Sequence, residues 1–290
     1  MRTPLFWSNP YRELQRGSLA IAEFKSSDHR TLFPYVYAQG ILSSPGVGTF
    51  GGFWPPSISL ETLDSAFSSL MIDAKFSSGI IECNLRFPPS IFCENSFQQQ
   101  IDYFLDGFSS HMIIDTNQYI DIESWSLADL SHGNRKKMNQ FGRSHGVIEK
   151  TNIESDYILC YNLLADNRKK RNVIMSMSLE RVIAALSKMP DTYRCYKATI
   201  ENEIIACAIT VDLDVGYRYV LYWGDSPTKR NLSPVTSLCE FLVIECRKEN
   251  IQVLDLGISS QLGTLDDGLF RYKRNLGASE SSKITLSFIP

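Results

Sequence analysis

Three short segments carry the side chains able to do chemistry. The first runs Asp266-Asp267-Gly268-Leu269-Phe270-Arg271-Tyr272-Lys273-Arg274-Asn275-Leu276-Gly277-Ala278. Leu269, Tyr272 and Leu276 recur at helical spacing and form an apolar stripe, with Lys273 beside it where core meets solvent. A lysine there either snorkels its ammonium to water or projects it into a cleft, where a fixed cation stabilises developing negative charge. Taken alone, snorkelling is the expectation. Asp266 and Asp267 suit the positive first turn of this helix and Gly277 its C′ position. No histidine or further carboxylate stands at ligand spacing, so no metal is expected.

The second segment is Asp255-Leu256-Gly257, closing an apolar strand before Ile258-Ser259-Ser260. Such strand ends face the ligand crevice of open α/β sheets, and a glycine there admits close backbone approach. An ordinary exit from strand to loop reads the same way. The third is basic. Residues 129–171 carry nine cations (Arg135, Lys136, Lys137, Arg143, Lys150, Arg168, Lys169, Lys170, Arg171) against five carboxylates, a net +4 in a chain of net −3. That segment suits a polyanion such as a nucleotide cofactor or tRNA; two solvated helix ends explain it equally. No nucleophile elbow, P-loop or dinucleotide fingerprint is present, and His29, His111, His132 and His145 are isolated.

The elements that must position these residues follow from periodicity. Residues 16–24 and 29–37 read as strands, the second broken by Pro34, before a Ser/Gly/Pro loop over residues 43–56. Leu60 to Phe76 reads as a helix capped by Ser59 and ended by Gly79; a strand (79–85) and a helix (97–108) follow. Residues 112–115 and 119–122 read as a hairpin around Asn117. The pattern then restarts. Helices are expected over 129–145, 156–171 and 179–188, with a short strand at 147–150. Three strands in series (193–200, 203–213, 216–223) come next, then helix 234–249, strand 252–256, helix 265–275 and a last strand at 283–288. This order predicts an α+β fold with mostly antiparallel mixed sheets, in two lobes spanning 1–126 and 127–290.

Composition agrees with a soluble globular chain. It has 290 residues, 43% hydrophobic and 21% charged, enough for one large domain or two ordinary ones. No global positive field advertises nucleic acid, and DNA is not an expected partner. Seven cysteines without a CxxC spacing read as reduced, mostly buried thiols. The N-terminus shows no signal-peptide pattern and no apolar run approaches about 18 residues, so a cytoplasmic protein is expected.

Together these segments resemble the FemAB-like acyltransferases, tandem GNAT-fold enzymes that include peptidoglycan-bridge aminoacyltransferases and relatives from polysaccharide gene clusters. Leu254 to Ala278 is similar to the family's D-F-G … G-L-x-x-F-K-x-x-(F/W)-G-A signature, with Tyr272-Lys273 at the Phe-Lys position. Tyr219 to Gly224 with Arg230 to Pro234 resembles its strand and following helix start. Arg135 to Val147 and Tyr161 to Arg171 resemble its basic helix and Y-x-L-L stretch, and Ser44-Pro45 with Thr49 to Gly52 its S-x-P … Y-G-G loop.

The resemblance implies a bacterial N-acyltransferase of two GNAT-like lobes. Its donor is an acyl-CoA, an acyl carrier protein or an aminoacyl-tRNA. Its acceptor is an amine of a sugar, an amino acid or a cell-wall or polysaccharide precursor. Lys273 is the residue implied to stabilise an oxyanion or hold a donor phosphate. Asp255 is implied as proton acceptor and Tyr222 and Ser259 as site lining. Arg135, Arg171 and Arg230 are implied for donor phosphate, and the loop of Phe50, Gly51, Gly52 and Trp54 for the acceptor. A packed Ω-loop is the competing reading of that loop. The chain departs from the acetyl-CoA pattern R/Q-x-x-G-x-G/A: Lys229 to Pro234 contains no glycine. That departure supports the alternative of a non-catalytic binding protein on the same fold.

Overall fold

Alternating apolar residues build the strands and 3.6-periodic stripes the helices that cover them. The computed structural model describes residues 3–15, 17–25, 30–73, 79–92 and 96–290. They form two compact units. One comprises Met1–Asn117, Ile258–Asp266 and Ser281–Pro290; the other comprises Gln118–Gly257 and Asp267–Glu280. The sequence expectation was a single cut after residue 126. Instead residues 118–126 pack with the second unit, and two C-terminal stretches return to the first.

The first unit contains α1 (Asn9–Leu14), β1 (Ala20–Lys25), β2 (Arg30–Ala38), β3 (Ile41–Ser44), α2 (Leu60–Met71), β4 (Glu82–Arg86) and α3 (Gln98–Gly107). Next comes β5 (Ser110–Asp121), whose last residues belong to the second unit. Within this unit the strand order is β1-β2-β3-β4, then the final strand, Ser279–Phe288. β3 and β4 run parallel, joined through α2, and the final strand runs antiparallel to β4. Ser59 caps α2 by accepting from the Thr62 N–H, as the sequence indicated. The helix ends at Met71, short of Phe76, and residues 74–78 lie outside the described set.

Two expectations fail in this unit. β2 continues through Pro34, which pairs in register with Ile21 while its carbonyl accepts from Ser44 Oγ at 2.7 Å. Proline's fixed φ suits extended backbone wherever the ladder needs no donor. Asn117 makes no hairpin: β5 is continuous, and Asn117 is buried with its side-chain amide donating to Ser281 Oγ at 3.3 Å. The asparagine marks a satisfied buried position, not a turn.

The second unit contains α4 (His132–Arg143), β6 (Val147–Thr151), α5 (Glu154–Lys169), α6 (Leu179–Lys188), β7 (Tyr193–Ile200), β8 (Glu203–Asp214) and β9 (Tyr217–Asp225). It continues with α7 (Pro234–Lys248), β10 (Val253–Ile258) and α8 (Asp267–Arg274). Its strand order is β10-β9-β8-β7-β6, antiparallel except for the parallel pair β9/β10. Glu201 and Asn202 both take positive φ, the geometry of a type I′ hairpin between β7 and β8. α7 buries Leu238, Leu242, Val243 and Cys246 against Val220, Leu254 and Leu276.

At the other end of these strands Arg218, fully buried, reaches Asp212 at 2.6 Å and Glu249 at 2.7 Å, and Arg194 bridges the same two carboxylates. This four-charge cluster ties β7, β8 and β9 to the end of α7. Elsewhere Cys83, Cys160, Cys195, Cys207, Cys239 and Cys246 are free and buried; Cys93 lies outside the described residues. Among the described residues no helix is long and apolar enough to cross a membrane.

Candidate functional site

In the second unit, the signature residues converge on Gly257. Its φ of +78° is one that residues bearing a Cβ rarely adopt. The residue's amide donates to Asp255 Oδ1 at 2.8 Å, and its carbonyl accepts from Lys273 Nζ, also at 2.8 Å. Asp255 Oδ2 in turn accepts the Tyr217 hydroxyl at 2.5 Å. Asp255 is 1% exposed and Lys273 2%. The ammonium therefore does not snorkel. It donates instead to the Gly257 carbonyl, inside the unit. A buried cation held this way is a fixed positive charge in a low-dielectric setting.

Tyr217 is a member of this group that the sequence reading missed. Its signal was the alternation Tyr217-x-Tyr219, which puts both rings on one face of β9, the face Asp255 shares on β10.

A second cluster gathers at the far end of β9. The β8/β9 register shifts between Ile209 and Thr210. Consequently Val220 packs in the α7 core, while Tyr222 reaches toward α5. There the Arg168 guanidinium lies 5.4 Å from the centre of the Tyr222 ring. The Tyr222 hydroxyl meets Ser176 Oγ and accepts from the Met177 N–H at 3.0 Å. Tyr222 is thus anchored to the segment after α5. Asn167 donates to the Asp225 carbonyl at 2.9 Å, and Arg230 Nη2 to the Asp225 carboxylate at 3.0 Å. That carboxylate reinforces the charge on Arg230, whose side chain is still 55% exposed. Asp225 was not singled out from sequence, nor were the pairings of Asn167 with Asp225, 58 residues away, and of Arg168 with Tyr222.

The stretch before α7 forms a 3-10 helix, Pro227–Leu232, with Ser233 at φ 47°. The amides of Lys229 and Ser233 are consumed inside it, on Ser226 and Arg230 carbonyls. These residues do not fit an amide cradle for a pyrophosphate. Arg135 and Arg171 are exposed, and the Arg171 charge acts on Tyr272 of α8.

The remaining expected residues lie in the first unit. Phe50 is buried, edge-on to Phe6 at 5.2 Å, with Lys283 Nζ 5.7 Å from its ring centre. A Cβ on Gly51 would sit 2.4 Å from Ser44 Oγ, so only glycine fits. The Gly52 carbonyl accepts from Trp7 Nε1 at 2.8 Å, and Trp54 is buried and paired through its backbone with Leu32. Ser259 is buried too, its amide on the Thr116 carbonyl at 2.7 Å.

No thiol is open to substrate among the described residues; burial pushes Cys83 up to about 12. Among those residues no group of His, Cys, Asp or Glu is arranged to hold a metal.

The chain, two α+β units, shares its fold with FemX and with a tandem GNAT protein. FemX matches it with a TM-score of 0.72 at 12% identity, covering 99% of this chain and 92% of that one. L-PGS from Bacillus licheniformis matches at 0.62 and 12% identity, covering 93% and 84%. A tandem GNAT protein from the clavulanic acid biosynthesis pathway matches at 0.53 and 9% identity, covering 94% and 84%. No family model and no curated protein matches the chain in sequence.

Proposed function

We propose that the protein is an N-acyltransferase that moves an acyl or aminoacyl group from an activated carrier to an amine. One observation carries the reading: Lys273, on the signature helix of a FemAB-like fold, is buried with its ammonium fixed on the Gly257 carbonyl. In the reaction the amine lone pair attacks the donor's ester or thioester carbonyl and a C–N bond forms. The carbonyl electrons move onto oxygen, and collapse of this oxyanion breaks the C–O or C–S bond. The leaving alcohol or thiol takes up a proton and the nitrogen loses one. Lys273 supplies the fixed positive charge that stabilises the oxyanion, an effect typically worth about 3 to 4 kcal/mol. Asp255, with both oxygens engaged, acts as a positioning residue that fixes the Gly257 peptide and, through it, Lys273.

The donor is an acyl-CoA, acyl carrier protein or aminoacyl-tRNA, and the acceptor an amine of a sugar, an amino acid or a cell-wall precursor. The side chains of Lys229 and Arg230, not backbone amides, meet the carrier's phosphate. The closed 3-10 helix that leaves this role to side chains also favours a second reading, a non-catalytic binding protein on the same fold. A thermal-shift panel of CoA, acyl-CoAs and charged and uncharged tRNA separates the two. A ligand at a hundred times its Kd adds about 2.7 kcal/mol of stability. Stabilisation by one donor, with amide formation that Lys273→Met abolishes, supports the enzyme; no shift with any donor supports the binding protein.

A further inference from the structure

The segment leaving α5 carries a feature that acyl transfer does not use. α5 ends in a Schellman closure: the Asn172 N–H donates to the Lys169 carbonyl and the Val173 N–H to the Arg168 carbonyl, each at 3.0 Å, with Asn172 at φ 56°. The hydrophobic residue after such a closure ordinarily packs back onto the helix. Here Val173 is 43% exposed and Ile174, at 88%, is more exposed than any other large hydrophobic residue described.

The segment is pinned on both sides of this tip. Arg168 Nη2 donates to the Ile174 carbonyl at 3.4 Å, Tyr222 accepts from the Met177 N–H, and Tyr161 donates to the Met177 carbonyl at 2.9 Å. The aliphatic pair is therefore held outward by a built turn. Lys169, Lys170 and Arg171 are exposed directly beside it. Asp166 and Glu180 are the nearby acidic residues in the chain and leave residues 166–180 at net +2.

We propose that this tip is a contact site for an anionic phospholipid bilayer, with Val173 and Ile174 entering the interface and Lys169, Lys170 and Arg171 meeting the headgroups. Two aliphatic side chains on one turn fall far short of the roughly 800 Å² per partner that a stable protein interface buries. Nucleic acid would use the cations and leave the aliphatic pair without a role. An anionic bilayer uses both, because shallow apolar insertion and polybasic attraction reinforce each other.

The test is co-sedimentation of the full chain with vesicles of phosphatidylcholine alone or mixed with phosphatidylglycerol, at low and physiological salt. The wild type binds the mixed vesicles, more weakly as salt rises, and leaves pure phosphatidylcholine unbound. Val173→Ser with Ile174→Ser, and separately Lys169→Gln with Lys170→Gln, each weaken binding about tenfold or more. All four positions are exposed or half-exposed, so melting temperatures stay at the wild-type value and a folding defect is excluded directly. No vesicle binding, or wild-type binding by the Val173/Ile174 variant, overturns the proposal. So does a lysine variant that loses tRNA binding while its vesicle binding is unchanged.

Discussion

Replacing Lys273 by Met sets stability and function against each other. Burying an ammonium costs several kcal/mol even after the surroundings relax. The bond to the Gly257 carbonyl, at 2.8 Å, returns about 1.5 to 3 kcal/mol. Methionine keeps the unbranched stem, fills the same space and carries no charge to desolvate. It leaves the Gly257 carbonyl short of one donor, which costs about 1 to 3 kcal/mol. These terms nearly cancel, so Lys273→Met unfolds within about 2 kcal/mol of the wild type. In a unit of this size that is a melting shift of no more than roughly 8 °C in either direction. Transfer falls by about 10²- to 10³-fold if the ammonium stabilises an oxyanion. Differential scanning calorimetry gives the first quantity, and amide product followed by mass spectrometry gives the second. A variant that melts far below the wild type yet transfers at the normal rate would refute the reasoning, because Lys273 would then be a structural tether.

Other perturbations test the supporting parts. Gly257→Ala forces a Cβ into positive φ, 3.2 Å from the Tyr219 hydroxyl; it costs about 1 to 2 kcal/mol by thermal melting and lowers kcat more than KM. Arg218→Met leaves Asp212 and Glu249 sharing Arg194 alone, and lowers stability by about 3 to 5 kcal/mol in urea unfolding. Stability also falls with acid. Burial alone would raise Glu249 and Asp156, but hydrogen bonds from Arg218 to Glu249, and from Lys197 and Thr151 to Asp156, hold both below their usual values of 4.5 and 3.8. A carboxylate depressed in the folded state stabilises above its unfolded pKa and loses that contribution as pH falls through the folded one. Melting temperature measured from pH 7 downward should therefore drop below about pH 4.5, and Arg218→Met should flatten the Glu249 part of that fall.

Elements whose evidence is local were legible in the sequence. The strands β7 to β9 and the helix α7 follow from apolar spacing, and the Ser59 cap from one residue type three positions before Thr62. Gly277 was placed at a helix end and does take φ 83°. A further demand on it was invisible, since a Cβ there would sit 2.7 Å from Asp129 Cβ. Features that failed or stayed hidden depend on partners far along the chain. Asn117 looks like a turn until Ser281, 164 residues away, accepts its amide. Lys273 looks like a snorkelling lysine until the Gly257 carbonyl, 16 residues back, takes its proton donor. The Tyr217–Asp255 pair spans two strands whose parallel register no local pattern reveals.

The return of the C-terminal chain to the first unit has a consequence for synthesis on the ribosome. β4 pairs with residues 285–288, which are made after the whole of the second unit's stretch 118–257. Until they emerge, the first unit holds a nascent sheet with β4 left as an open edge. Folding in the usual order, first domain first, is therefore unavailable to this chain. The second unit has most of its strands and helices in one continuous stretch, residues 118–257, and can form before the first is complete.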